Sequence, residues 1–334
     1  MKAGVLQFFG WPRRSVPLEK IYERALQRIE IMDKTGYDAV WLAEHHFTGY
    51  SVCPSVHMMG MHVAARTDRL RIGTAISLAA FYHPLRLAEE VALLDVLTDG
   101  RVNWGAGRGF DPTEFAAFDV PIEESTERFR EAVEIVQAAW TNERLTFHGK
   151  YWNFDDVEVL PKPAQQPTPP TWMAATSPGA IEWAASRGHT IMMDPHSSCA
   201  DIGRKREFYR EKLEANGHSI EGREIPMARL LAVAETESEA REIAHRGAAW
   251  SVGAYANPSK AAGIAPGSID AYAPSKTDPV ERYLGDVVLY GTPDQLVDRL
   301  AQLKEEMFLD YLLCAPLSHS SFMLFTEKVL PKVS

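Results

Sequence analysis

The chain has 334 residues, 46% of them hydrophobic and 24% charged, a globular composition that excludes a disordered, charge-rich polymer. Lys and Arg number 35 against 45 Asp and Glu, a net charge of −10, and no long basic block offsets it, so nucleic acid is not an expected partner. The three cysteines, Cys53, Cys199 and Cys314, are odd in number and far apart, which argues against a disulfide framework and for a reducing compartment, the cytoplasm.

The apolar run Val5 to Phe9 is too short for a signal-peptide core and reads as part of a first strand, Ala3 to Phe9. Leu18, Ile21, Tyr22, Ala25, Ile29 and Met32 recur at helical spacing, and Gly36 supplies the stop. Ala39 to Ala43 predicts a second strand. A helix from about Ser55 to Ala65 follows, then a third strand over Leu70 to Leu78. Pro84 opens a helix with Leu87, Val91, Leu94 and Leu97 on one face, closed by Asp99-Gly100. Arg101 to Gly107 is the fourth strand, and the helix from Ser125 to Trp140 follows it. Residues 145 to 159 form a small excursion. The Pro-rich stretch 161 to 170 is a long loop, because strand five, Thr171 to Ala175, resumes the alternation directly. Strands six to eight fall at Thr190 to Met193, Met227 to Ala234 and Tyr311 to Ala315. Residues 251 to 285, rich in Ala, Gly, Ser and Pro, lack sustained periodicity and predict a mobile lid. No stretch approaches the roughly 18 to 20 apolar residues that span a bilayer.

Eight strand–helix units without a strong break predict one α/β domain over residues 1 to 334, a (β/α)8 TIM barrel whose active site lies at the C-terminal strand ends. A doubly wound sheet is the other fold considered; it requires a Gly-rich phosphate turn after strand one, and Phe8-Phe9-Gly10-Trp11-Pro12 is not one.

Strand two runs into Glu44-His45-His46-Phe47. An imidazole there can move a proton and the neighbouring carboxylate can orient it, or both histidines can be structural. A metal site lacks the usual ligand spacing, so none is expected. Strand four ends in Gly105-Ala106-Gly107-Arg108-Gly109. Glycines at alternate positions leave one face bare for a planar ring, and the Arg108 fork suits a phosphate or carboxylate; tight strand packing with an exposed arginine is the plainer alternative. After strand five, Ala175-Thr176-Ser177-Pro178 caps a helix and offers free N–H groups to an anion. Phe8, Trp11, Phe47, Tyr50, Phe81, Tyr82 and Phe110 gather near the same mouth and suit an apolar or aromatic substrate.

These segments together resemble the bacterial luciferase-like family of flavin-dependent oxidoreductases: Gly36 to Phe47 (GYDAVWLAEHHF), Gly73-Thr74-Ala75, His83-Pro84 to Arg101, and Gly107-Arg108-Gly109. The resemblance implies a (β/α)8 barrel that takes FMN in reduced form from a separate flavin reductase. With O2 the flavin forms a C4a-hydroperoxide that oxygenates a hydrophobic or aromatic small molecule. By that resemblance His45 is the catalytic histidine and Glu44 its acidic neighbour. Ala75-Ile76 is a cis peptide beneath the flavin ring, and Gly107 stands where luciferase proper has a cysteine. Arg108, Ala175, Thr176 and Ser177 lie at the FMN site, and residues 251 to 285 are the lid. Met192-Met193-Asp194-Pro195 lacks the tryptophan found near there in luciferase, which argues against a long-chain aldehyde substrate. The resemblance also implies a homodimer. Deazaflavin-dependent hydride transfer and a non-catalytic flavin-binding subunit are the competing expectations.

Overall fold

Strand and helix alternate along the chain as the hydrophobic spacing requires. The computed structural model describes residues 1–255 and 278–333. In chain order these are β1 (Lys2–Gln7), α1 (Leu18–Asp33), β2 (Ala39–Leu42), α2 (Val56–Ala64), β3 (Arg71–Thr74), β4 (Ser77–Leu78), α3 (Pro84–Leu97), β5 (Val102–Gly107), α4 (Pro112–Ala117) and α5 (Ser125–Thr141). Then come β6 (Leu145–His148), β7 (Asn153–Val157), β8 (Thr171–Ala174), α6 (Pro178–Ser186), β9 (Thr190–Met192), α7 (Cys199–Ala215), β10 (Pro226–Val233) and α8 (Glu237–Tyr255). After the undescribed stretch follow a helix at Pro279–Asp286, β11 (Leu289–Gly291), a helix at Pro293–Met307, β12 (Tyr311–Pro316) and short terminal helices from His319.

The chain divides into two compact units, neither continuous in sequence. One comprises residues 1–7, 23–40 and 175–334. In it β11, β10, β12 and β1 pair in that order, all parallel. Met193, just past β9, bridges Met227 of β10, also parallel. Strands β9 to β12 and β1 are nearly all buried, as strands covered on both faces must be.

The other unit comprises residues 8–22 and 41–174. Here β5 pairs with β3 at Ile72↔Val102, with β4 at Ser77↔Ala106 and with β8 at Trp104↔Thr171, again all parallel. The Thr74 hydroxyl donates to Gly105 O at 2.7 Å and accepts from Gly105 N at 2.9 Å, locking β3 to β5. Gly73 is a position where this unit tolerates little change. A Cβ there would lie 2.3 Å from Cδ2 of buried Trp41, and Trp41 is itself held edge-on by Trp172 at 5.1 Å. Gly73→Ala is expected to destabilise the protein by about 1–3 kcal/mol, the cost of overpacking a rigid neighbour. An unchanged thermal midpoint would show that Trp41 yields.

At four places the structure changes or adds to what the sequence predicts. The single strand over Leu70 to Leu78 is two, because the chain changes neighbours within it: Ala75 N–H bonds Leu42 O, whereas Ser77 and Leu78 pair with β5. The excursion at 145–159 holds an antiparallel hairpin, β6–β7. β11, of three residues, is too short to show periodicity. Within the lid segment 251–285, residues 251–255 end α8 and Pro279–Asp286 is helical; residues 256–277 lie outside the described residues. The Pro-rich stretch 161–170 joins β7 to β8 inside one unit, where Gln165 N and Nε2 donate to buried Asp95.

Candidate functional site

The apolar residues of β2 are all buried, and the chain leaves the strand carrying Glu44, His45 and His46. Adjacent side chains in extended backbone face opposite ways, and the two histidines find different carboxylates. His46 Nε2 lies 3.0 Å from Glu44 Oε1. His45 Nδ1 lies 3.4 Å from Glu114 Oε1, which also accepts His46 N–H at 2.8 Å. The carboxylate beside His45 is therefore Glu114, while Glu44, its neighbour in sequence, serves His46.

Both carboxylates are buried. Glu44 takes three donors: His46 Nε2, the Tyr82 hydroxyl at 3.1 Å and Leu78 N–H at 3.3 Å. Such convergence is what a buried anionic oxygen pair needs. Burial first and Glu44 second push the Tyr82 phenol well above its ordinary pKa, so it stays a donor. Glu114 Oε1 accepts, whereas Oε2 has no hydrogen-bond partner among the described residues. At 3.4 Å the Glu114 carboxylate lies close enough to His45 Nδ1 to act as a charge neighbour of the ring. Phe8, Tyr50 and Phe110 surround the ring, at centroid distances of 6.5, 5.2 and 6.0 Å.

Glu114 escaped the sequence reading, although a signal was there. Asp111-Pro112-Thr113-Glu114 follows the fourth strand with a helix-start pattern. Asp111 Oδ1 does cap α4, accepting Thr113 N–H at 2.9 Å. Glu114 reaches instead to the histidine segment, a choice that spacing along α4 cannot reveal.

The residues at the end of β5 behave differently from one another. Gly107 is not bare: a Cβ there would meet Ile76 Cδ1 at 1.8 Å and Ala174 Cβ at 3.2 Å, so Ile76 fills the glycine's face. The Ala75–Ile76 peptide is cis. Arg108 directs Nη1 to Ser125 Oγ at 3.1 Å, and the Ser125 hydroxyl donates its own hydrogen bond to Ile122 O. Burial lowers the Arg108 pKa, and no carboxylate pairs with it among the described residues. Ala175, Thr176 and Ser177 fall in the other unit. There Ser177 caps α6, its Oγ accepting Ala180 N–H at 3.4 Å.

A model of the luciferase-like monooxygenases matches residues 1–310. The chain belongs to the luciferase-like monooxygenase family. Among its relatives, the oxygenase component of a flavin-dependent trigonelline monooxygenase from Acinetobacter baylyi is 28% identical over 230 residues, 68% of this chain and 63% of that one. This chain spans between half and just under two thirds of the length of the curated relatives it matches. The monooxygenase RslO1 from Streptomyces bottropensis superimposes with a TM-score of 0.82 at 28% identity, over the whole of both chains. The oxygenating constituent of 3,6-diketocamphane monooxygenase from Pseudomonas putida, solved with FMN, gives 0.81 at 20% identity over 100% and 99% of the two chains, a likeness of fold.

Parallel strands alternating with helices give the chain the α/β architecture of that family. Its residues fit a phosphorylated flavin in one measurable respect. Arg108 is a partly desolvated cation with one hydroxyl acceptor and no counter-ion among the described residues, the state that an anionic group completes. Among the described residues no three His, Cys, Asp or Glu stand close enough to hold a metal ion, and no helix is long and apolar enough to cross a membrane.

Proposed function

We propose that the protein is the oxygenating component of a two-component system. It takes reduced FMN from a separate reductase, and O2, and oxygenates a small hydrophobic or aromatic molecule. The observation that carries this reading is Arg108, a half-buried guanidinium lacking a carboxylate, in the same unit as an imidazole backed by buried Glu114. The relative named as an oxygenase component supports the separate reductase. Arg108 would hold the phosphate; Ala75, Ile76 and Gly107 would line the flavin, and Ala175, Thr176 and Ser177 enter on the family resemblance. The flavin, when bound, supplies the electrons and the site of oxygen activation. His45 accepts or returns a proton at Nε2, and Phe8, Tyr50 and Phe110 keep water from that atom. The closed (β/α)8 barrel and the lid belong to the same proposal.

The test is a screen of aromatic and hydrophobic compounds with reductase, NADH and FMN. A true substrate suppresses H2O2 release and appears as an oxygenated product. Anaerobic turnover with reduced deazaflavin, and none with FMN and oxygen, would replace this reading with hydride transfer.

A second copy of the chain is the proposed partner of the α2–α3 face. Met58 and Met61 on α2, and Leu93, Val96 and Leu97 on α3, are exposed at i, i+3 and i+4 spacing, a concentration that solvent alone disfavours. Met58→Glu with Leu97→Glu is expected to halve the mass seen in sedimentation; an already monomeric wild type would refute the pairing.

A further inference from the structure

A second set of polar groups runs from the surface towards the histidine segment. Glu90 on α3 is partly exposed; Arg86 Nε donates to its Oε1 at 2.7 Å, and His57 Nδ1 lies 3.0 Å from its Oε2. The His57 hydrogen bond, then Arg86, draws the Glu90 carboxyl down to about 2, against the opposing effect of burial. His57, on α2 and buried, places Nε2 at 3.0 Å from the Ser77 hydroxyl of β4. The next residue, Leu78, donates its N–H to Glu44 Oε2, and Glu44 Oε1 meets His46 Nε2. Polar contacts thus continue from solvent to His46, with one backbone step between Ser77 and Leu78.

That backbone step stops a proton from hopping the whole way, yet charge and orientation cross it. With neutral His57, Nδ1–H points at Glu90 and Nε2 accepts the Ser77 O–H. When His57 takes one proton from solvent, Nε2–H donates to Ser77 Oγ and the Ser77 hydrogen turns away, reversing the hydroxyl dipole beside the peptide that holds Glu44. In an interior of low polarity such reversals are felt over several ångströms.

We propose that His57 is a positioning residue for the acid–base groups at the end of β2, transmitting its protonation through Ser77 and Leu78 to Glu44 and His46. The inference rests on the reading of Glu44 as part of that centre. The charged groups along the chain of contacts are Glu90 and Arg86 at its outer end and Glu44 at its inner end. Tyr82, edge-on to His57 at 5.5 Å, and Cys53, pushed up to about 12 chiefly by burial, both stay protonated. His62, on the same helix as His57, lies at the surface.

The experiment follows the histidine ring signals of the ligand-free chain by NMR across pH. The His46 signal is expected to carry a second inflection at the pH where His57 titrates, as coupled sites do. His57→Gln abolishes that inflection. Glu90→Gln moves it to lower pH, because the imidazolium loses its carboxylate. Ser77→Ala leaves His57 titrating but removes its trace from His46. A wild-type His46 curve with no trace of His57 overturns the proposal without need of any variant. So does a His57→Gln protein that is merely less stable, with the His46 curve unaltered. FMN binding is read separately: a chain that ignores FMN while retaining the coupled inflection sinks the flavin reading and leaves this one standing.

Discussion

Replacing Arg108 with Ala is expected to weaken FMN binding by about 1.5–3 kcal/mol, the scale of a hydrogen bond to a charged group, or roughly ten- to a hundredfold in Kd. The guanidinium is partly desolvated and meets only the Ser125 hydroxyl among the described residues, so its charge is left for a ligand. Ser125→Ala tests the same site more gently. Without Ser125 Oγ the guanidinium loses its one fixed contact, and affinity should fall less than in Arg108→Ala. Fluorescence quenching of FMN on titration with each variant measures both. Equal affinity in wild type and Arg108→Ala would exclude the phosphate assignment.

His45→Ala should separate oxygen consumption from product formation, lowering the productive rate by about 10² to 10⁴ while FMN affinity stays within about threefold. The imidazole lies beside Glu114 and among Phe8, Tyr50 and Phe110, so on the proposed function its removal takes away the proton-transfer group. Glu114→Gln retains an acceptor for His46 N–H but withdraws the charge behind His45, and should lie between wild type and His45→Ala. An oxygen electrode paired with product quantification reads the coupling ratio; full coupling in His45→Ala would refute the role.

Much of the architecture could be read without coordinates. The apolar spacing in α1, α3 and α5 and the short apolar runs of β1, β2, β5, β8, β10 and β12 predicted those elements to within a residue or two, because periodic burial leaves its mark on every turn and every pleat. Elements that bury little, or are very short, left no such mark: β11 has three residues, and the hairpin strands β6 and β7 are mostly exposed or half-buried.

The histidine segment divides along the same line. Its composition and its place after a buried strand were legible in Glu44-His45-His46, and so was the cation at Arg108. The pairing of acids with imidazoles was not. Glu44 adjoins His45 in sequence but binds His46, and Glu114, on another element, supplies the oxygen near His45 Nδ1. Likewise, alternate glycines suggested an open face at Gly107, yet Ile76 fills it. Local sequence governs which way a residue's neighbours repeat, since that depends on backbone geometry within a few bonds. Which side chain meets which depends on how distant segments close, and a hydrogen bond of about 3 Å is sensitive to that closure alone.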